Sequence, residues 1–253
     1  MHFKSRMEYR SNFISGIISN LYSYFISFIS FWVLIHRFGT INGWVFEELC
    51  ILYGFNICTY AIAGMFFWTI AGLEFELSNG SFDGVLIRPI GVIQHLVCKK
   101  FVDTFIGQIV ISVVFLLYSI TKLKVSISIS KIIYIFFSLI SGFGINAGAM
   151  ILFGAISFWT HRSLPLMNML YYNLKLFIQY PLSIFPPLVQ ALLTYILPWG
   201  FISYYPTVFI LNKQNSSSDF IFAAISPIIG IIYYLFSIVI FYKGLRHYDS
   251  SGS

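Results

Sequence analysis

LEFELSNGSFDGVLIRPIGVIQHLVCKK, residues 73–100, is the longest polar interruption between two segments that can each cross a bilayer. It gathers Glu74, Glu76, Asp83, Arg88, His95, Lys99 and Lys100 in a chain of which only 9% is charged. Asn79-Gly80 and Asp83-Gly84 are turn dipeptides. Arg88-Pro89 marks a break, because the residue before a proline is pushed out of the helical region. The stretch reads as a short helix, a turn and a second short helix. A hydrophobic chain that keeps one ordered polar hairpin in water is expected to offer it to a soluble partner.

Outward from the hairpin the chain is apolar. It is 58% hydrophobic with a mean hydropathy of +0.83, whereas a soluble domain is about a quarter charged. The basic excess, 15 Lys+Arg against 9 Asp+Glu, sits at segment ends, which fits topology and lipid headgroups and not nucleic acid. Apolar runs long enough to span lie near residues 13–35, 49–72, 101–121, 132–158, 164–180 and 220–242, with Asp103 and Lys175 the only charged residues within them. Residues 1–12 carry Phe3, Met7 and Arg10 near one helical face, readable as an interfacial helix or as an unstructured tail.

Residues 164–211 are too long for one crossing and too apolar for water. Pro165, Pro181, Pro186, Pro187, Pro198 and Pro206 exclude one continuous helix. We expect a fifth span at 164–180, then a re-entrant pair of short helices over 181–211, a backbone tolerated at depth only under cover of other protein or a wet cavity. The expected fold is an all-α membrane protein: one transmembrane domain over 1–253, six transmembrane helices, and the hairpin at 73–100. Six crossings put both termini on one side. If that side is cytoplasmic, nine cations lie inside (Lys4, Arg6, Arg10, Arg88, Lys99, Lys100, Arg162, Lys243, Arg246) and five outside (Arg37, Lys122, Lys124, Lys131, Lys213). This bias predicts cytoplasmic termini and a cytoplasmic hairpin in a cell membrane.

No G-x-x-x-x-G-K-[ST], H-E-x-x-H, paired-Cys or G-x-S-x-G motif occurs. The five histidines (His2, His36, His95, His161, His247) sit at span edges. Cys50 and Cys58 share a segment and read as buried thiols, with Cys98 alone. Asp103 is expected to reach water at its span entry, and Lys175 to reach the outer interface by its stem. Asn20, Asn56, Gln108 and Asn146 lie inside spans, either bonding helix to helix or lining a path for an amphipathic cargo. Gly144 and Gly148 make a close-packing face, within one subunit or between two.

Three stretches together resemble one family. Residues 79–90, NGSFDGVLIRPI, are similar to the cytoplasmic motif of type 2 ATP-binding-cassette export permeases, in the branch with a G-x-hydrophobic-D-x-x-L-hydrophobic-R-P signature. Residues 180–206, YPLSIFPPLVQALLTYILPWGFISYYP, resemble its proline-marked segment, in which Pro181, Pro186, Pro187 and Pro198 would shape the re-entrant pair. Residues 244–252, GLRHYDSSG, resemble its tail. The resemblance implies a dimer with the same or a sister six-span permease, in contact with membrane lipid, and cytoplasmic ABC ATPase subunits that carry ATP and Mg. The chain itself would be no enzyme and hold no cofactor.

By the same resemblance the hairpin is a coupling helix. Gly80, Asp83, Leu86, Arg88 and Pro89 match its motif, with Glu76 and Gly84 beside them. Gly84 and Pro89 would fix a bend, and Asp83 and Arg88 would give charged hydrogen bonds to the partner, or pair with each other or cap local helices. The expected function is ATP-driven export of an amphipathic cargo: a peptide, lipid or drug. The alternatives are an immunity or sensor subunit of such a complex and an ATPase-independent carrier, the latter predicting intramembrane acids or a repeat that the sequence lacks.

Overall fold

A computed structural model describes residues 22, 26, 29, 32, 33, 39–126, 128–160, 162–214 and 217–248. Tyr22, Ile26, Ile29, Trp32 and Val33 are helical and exposed. The remainder of the expected first span, the expected interfacial helix at 1–12, Asn20 and His161 lie outside the described residues.

The first long helix, α1 (Phe46–Ala71), is the axis of the molecule. After Glu48 it carries no charge, and it is apolar on all sides, the pattern of a helix enclosed by others. Glu47 and Glu48 occupy its first turn, where carboxylates complement the helix dipole. Glu48 accepts the Val45 N–H at 3.0 Å and Lys213 Nζ at 2.5 Å, and Lys213 also lies 4.9 Å from the Trp44 ring centroid. This clamp closes the end of the bundle opposite the hairpin.

Three short helices form the hairpin: α2 (Leu73–Ser78), α3 (Asp83–Leu86) and α4 (Val92–Lys99). A turn at Asp103–Phe105 leads into α5 (Ile106–Lys122), and α6 (Ile129–Thr160) follows. The last long helix is α10 (Ser217–Leu245). Four described helices are long and apolar enough to cross a membrane: Phe46–Ser78, Asp103–Lys122, Ile129–Thr160 and Ser217–Leu245. α5 and α10 turn large apolar side chains outward, among them Val110, Leu117, Ile232 and Leu235. No β-strand forms among the described residues; Ile41 and Trp44 make one isolated antiparallel bridge.

The expected fifth span is not one of those four helices. Residues 164–179 form one helical turn, α7 (Leu164–Leu166), then wide π-helical turns (Met167–Asn173) and a tight turn (Leu176–Gln179). The segment nevertheless joins the two ends of the bundle. Glu74 of the hairpin accepts the Ser163 and Leu164 N–H groups, each at 2.7 Å. Twenty residues further on, Asn42 at the opposite end donates to the Ser183 carbonyl at 3.1 Å. The chain then turns back inward through α8 (Pro187–Ala191), Leu192–Ile196 and Pro198–Phe201. The Ile202 carbonyl reaches the depth of Gly142 on α6, and α9 (Tyr204–Leu211) returns to the Lys213 clamp. Pro165, Pro187, Pro198 and Pro206 all fall in the first turn of their elements, where no N–H is missed.

Pro227 alone sits inside a long helix. Its ring removes the bond to the carbonyl of Ala223, and the Tyr134 hydroxyl donates to that carbonyl at 2.5 Å. Beside it, Ser141 Oγ donates to the Ser226 carbonyl at 2.5 Å and accepts the Gly230 N–H at 2.9 Å. A Cβ on Gly144 would lie 2.7 Å from the Gly230 carbonyl oxygen, and one on Gly230 would overlap the Ser141 backbone. The small-residue face therefore packs α6 on α10 within one chain.

Candidate functional site: the hairpin and its seat

The hairpin has a root fastened to the bundle and a tip left free. At the root, Leu77, Phe82, Val85, Ile93 and Leu96 are buried in the main core. Phe82 packs its ring 5.5 Å from Phe158 and 5.0 Å from Tyr248, centroid to centroid. Gly80 takes a left-handed backbone, φ +68°, which lets the chain reverse after α2. Gly84, by contrast, lies within α3 with ordinary geometry and open space beside it. The reversal belongs to Gly80 and not to Gly84.

Charge secures the same root. Lys99 Nζ donates to Glu76 Oε2 at 2.6 Å, tying α2 to α4, and Ser81 Oγ donates to the same oxygen. Burial pushes the Glu76 carboxyl up, but the Lys99 and Ser81 hydrogen bonds and the charges of Lys99 and Lys100 outweigh it and hold it below the usual range. Asp83 Oδ1 accepts the Tyr248 hydroxyl at 2.9 Å. Burial, then the bond to Asp83 and the charge on it, push the Tyr248 phenol up to about 12, so it stays a donor at neutral pH. Asp83 and Tyr248, 165 residues apart, thus bring the stretches 79–90 and 244–252 together in one hydrogen bond.

The tip is residues 86–90, from the last residue of α3 into the turn before α4. Leu86, Ile87, Arg88, Pro89 and Ile90 are all exposed, Ile87 to 86%. Phe75 on α2 is 68% exposed. Leu86, Arg88 and Pro89 belong to the motif read from the sequence, and Ile87 and Ile90 stand exposed beside them.

The amides divide. Asn146 is satisfied: it donates to Thr59 Oγ1 at 3.1 Å and the Gly142 carbonyl at 2.9 Å, and accepts the Tyr171 hydroxyl at 2.8 Å. It bonds α6 to α1 and to the 164–179 segment. Asn56 Oδ1 and Gln108 Oε1 are buried with no hydrogen-bond partner. Two sequence expectations fail here. Asp103 is buried at the start of its turn and does not reach water. Lys175 turns inward, 9% exposed, with Nζ 3.4 Å from the Tyr60 ring centroid, because the rings of Tyr60 and Tyr171 offer its cation a nearer seat than the interface. Of the cysteines, Cys50 and Cys58 are buried and Cys98 is exposed.

Apolar helices around an enclosed α1, with a polar hairpin at one end, define a multi-pass membrane protein. The chain belongs to the ABC-2 family of transporters: residues 21–252 match the family model described as ABC-2 family transporter protein. It is a transmembrane permease of the ABC transporter class, a family membership that implies partnership with ABC ATPase subunits. No curated protein and no solved structure matches the chain.

Proposed function

We propose that the chain is the permease subunit of an ATP-driven exporter. It would carry an amphipathic cargo out of the cell on energy supplied by a separate ATPase, which holds the ATP and Mg. In this reading the membrane is crossed six times, with residues 13–35 first and 164–180 fifth. The termini and the hairpin face the cytoplasm, and a second six-span permease, the same chain or a sister, completes the assembly. Hydrolysis belongs to the partner, since this sequence has no phosphate-binding loop.

The observation that carries the proposal is the tip at 86–90: exposed apolar side chains around Arg88, held out on a root that is packed and hydrogen-bonded into the bundle. Exposed apolar side chains beside a cation are what a soluble partner's cleft can grip. Nucleotide-driven closure of the partner supplies the difference in contact energy between two states, and the root passes it to α1, α6 and α10. Purification of the full chain in mild detergent, with identification of what comes with it, tests the reading. Recovery of a nucleotide-hydrolysing subunit, lost when Arg88 becomes glutamate, is the expected result. A preparation that moves cargo with no such subunit overturns it in favour of an ATPase-independent carrier.

A further inference from the structure

A cavity of about 140 Å³ opens between α1 and the 164–179 segment, lined by Asn56, Tyr60, Tyr172, Lys175, Leu176 and Gln179. Asn56 lies ten residues into α1, about 15 Å along the axis at 1.5 Å per residue. The cavity is therefore at mid-depth, where an ionisable side chain is costly and marks a functional position. Lys175 rests on the face of Tyr60 at 3.4 Å, with the Tyr171 ring 5.4 Å away. These rings meet the cation on their side but accept none of its N–H protons in ordinary hydrogen bonds, and no oxygen among the described residues does so. Across the cavity Asn56, 3% exposed, holds an oxygen with no partner. The wall thus offers a buried lysine nitrogen as donor and a buried amide oxygen as acceptor.

Size limits the occupant. At about 30 Å³ per water the space holds a few waters or one small polar group, far below the ~300 Å³ of a drug-sized pocket. Leu176 at the rim is 56% exposed, so an apolar tail can leave along the outside of the bundle. We propose that this cavity is a headgroup site for an amphiphile with an anionic oxygen, paired with Lys175, and an N–H or O–H donor, paired with Asn56, on an apolar tail. Calling that amphiphile the cargo rests on the permease reading above; the binding itself does not. Carboxylate and phosphate headgroups share this chemistry.

The full chain in nanodiscs of zwitterionic lipid, with no nucleotide and no partner subunit, is titrated with N-dodecanoylglycine, with its methyl ester, and with monododecyl phosphate. The acid or the phosphate is expected to bind at least about tenfold tighter than the ester, the scale of a charged hydrogen bond out of water. The tighter of the two names the headgroup. Lys175→Met, which keeps the stem over Tyr60, is expected to erase the preference, and Asn56→Ala to weaken binding of the acid. Equal affinity of the ester and both anions for the wild-type chain overturns the assignment, whether or not the variants fold. So does an anion preference that survives in folded Lys175→Met. An ATPase recovered in the co-purification together with no anion preference sinks the cavity site and leaves the exporter reading standing; the reverse pair of results does the opposite.

Discussion

The root and the tip of the hairpin are a few residues apart and are built on opposite terms. Every polar group named at the root has a partner inside the molecule: Glu76 with Lys99 and Ser81, Asp83 with Tyr248, Glu74 with two backbone N–H groups. At the tip, Ile87 and Ile90 lie open beside Arg88. The contrast separates two duties. In the proposed coupling role a lever has to be stiff where it joins the body and sticky where it is grasped, and the 28 residues 73–100 carry a packed root and an exposed tip that suit it.

Loss of the root should be the costlier injury. Phe82→Ala empties the space between Phe158 and Tyr248 and is expected to cost about 3–5 kcal/mol, read as a fall in apparent melting temperature in detergent together with loss of coupling. The tip should behave in the reverse manner. Ile87→Asp combined with Arg88→Glu is expected to lower cargo-stimulated ATPase activity of the assembled transporter by at least about tenfold with melting unchanged; a comparable fall in melting would erase the distinction drawn here.

Tyr248→Phe keeps the ring against Phe82 and removes only the bond to Asp83, at about 1 kcal/mol. Faster amide exchange confined to α3 and the end of α10 would register it. Glu76→Gln is the gentlest change, about 0–1 kcal/mol at neutral pH, because the partly exposed pair with Lys99 is screened. Its sign is defined by pH. The Glu76 carboxyl is held below its unfolded value, so its contribution is full above about pH 4.3 and fades as pH falls through the folded value. Melting measured from neutral to acid pH should therefore converge for variant and wild type on the acid side.

Much of the fold was readable from local chemistry. The uncharged runs coincide with α1, α6 and α10 within a few residues, Arg88-Pro89 falls in the turn between α3 and α4, and the prolines of 181–211 fall at the starts of short elements or between them. What escaped depends on contacts far apart in the chain. Glu74 binds backbone N–H groups 89 and 90 positions away, and no side-chain pattern announces such a partner. The Asp83–Tyr248 bond joins two motifs that were each visible, but nothing local says that they touch. The segment at 164–180 was expected as the fifth span. Its coiling is loosened into wide turns beside Tyr171, which reaches Asn146, and Lys175, which sits on Tyr60, and both partners belong to other helices.

The mended rung at Pro227 constrains how such a molecule can open. Prying α10 away from α6 would strip the Ala223 carbonyl of the Tyr134 hydroxyl and bare it to hydrocarbon. It would also part glycine faces that meet backbone to backbone. On the permease reading these two helices are expected to swing as a single plate, with the parting seam along another boundary, and the proline that looks like a joint in the sequence is a weld.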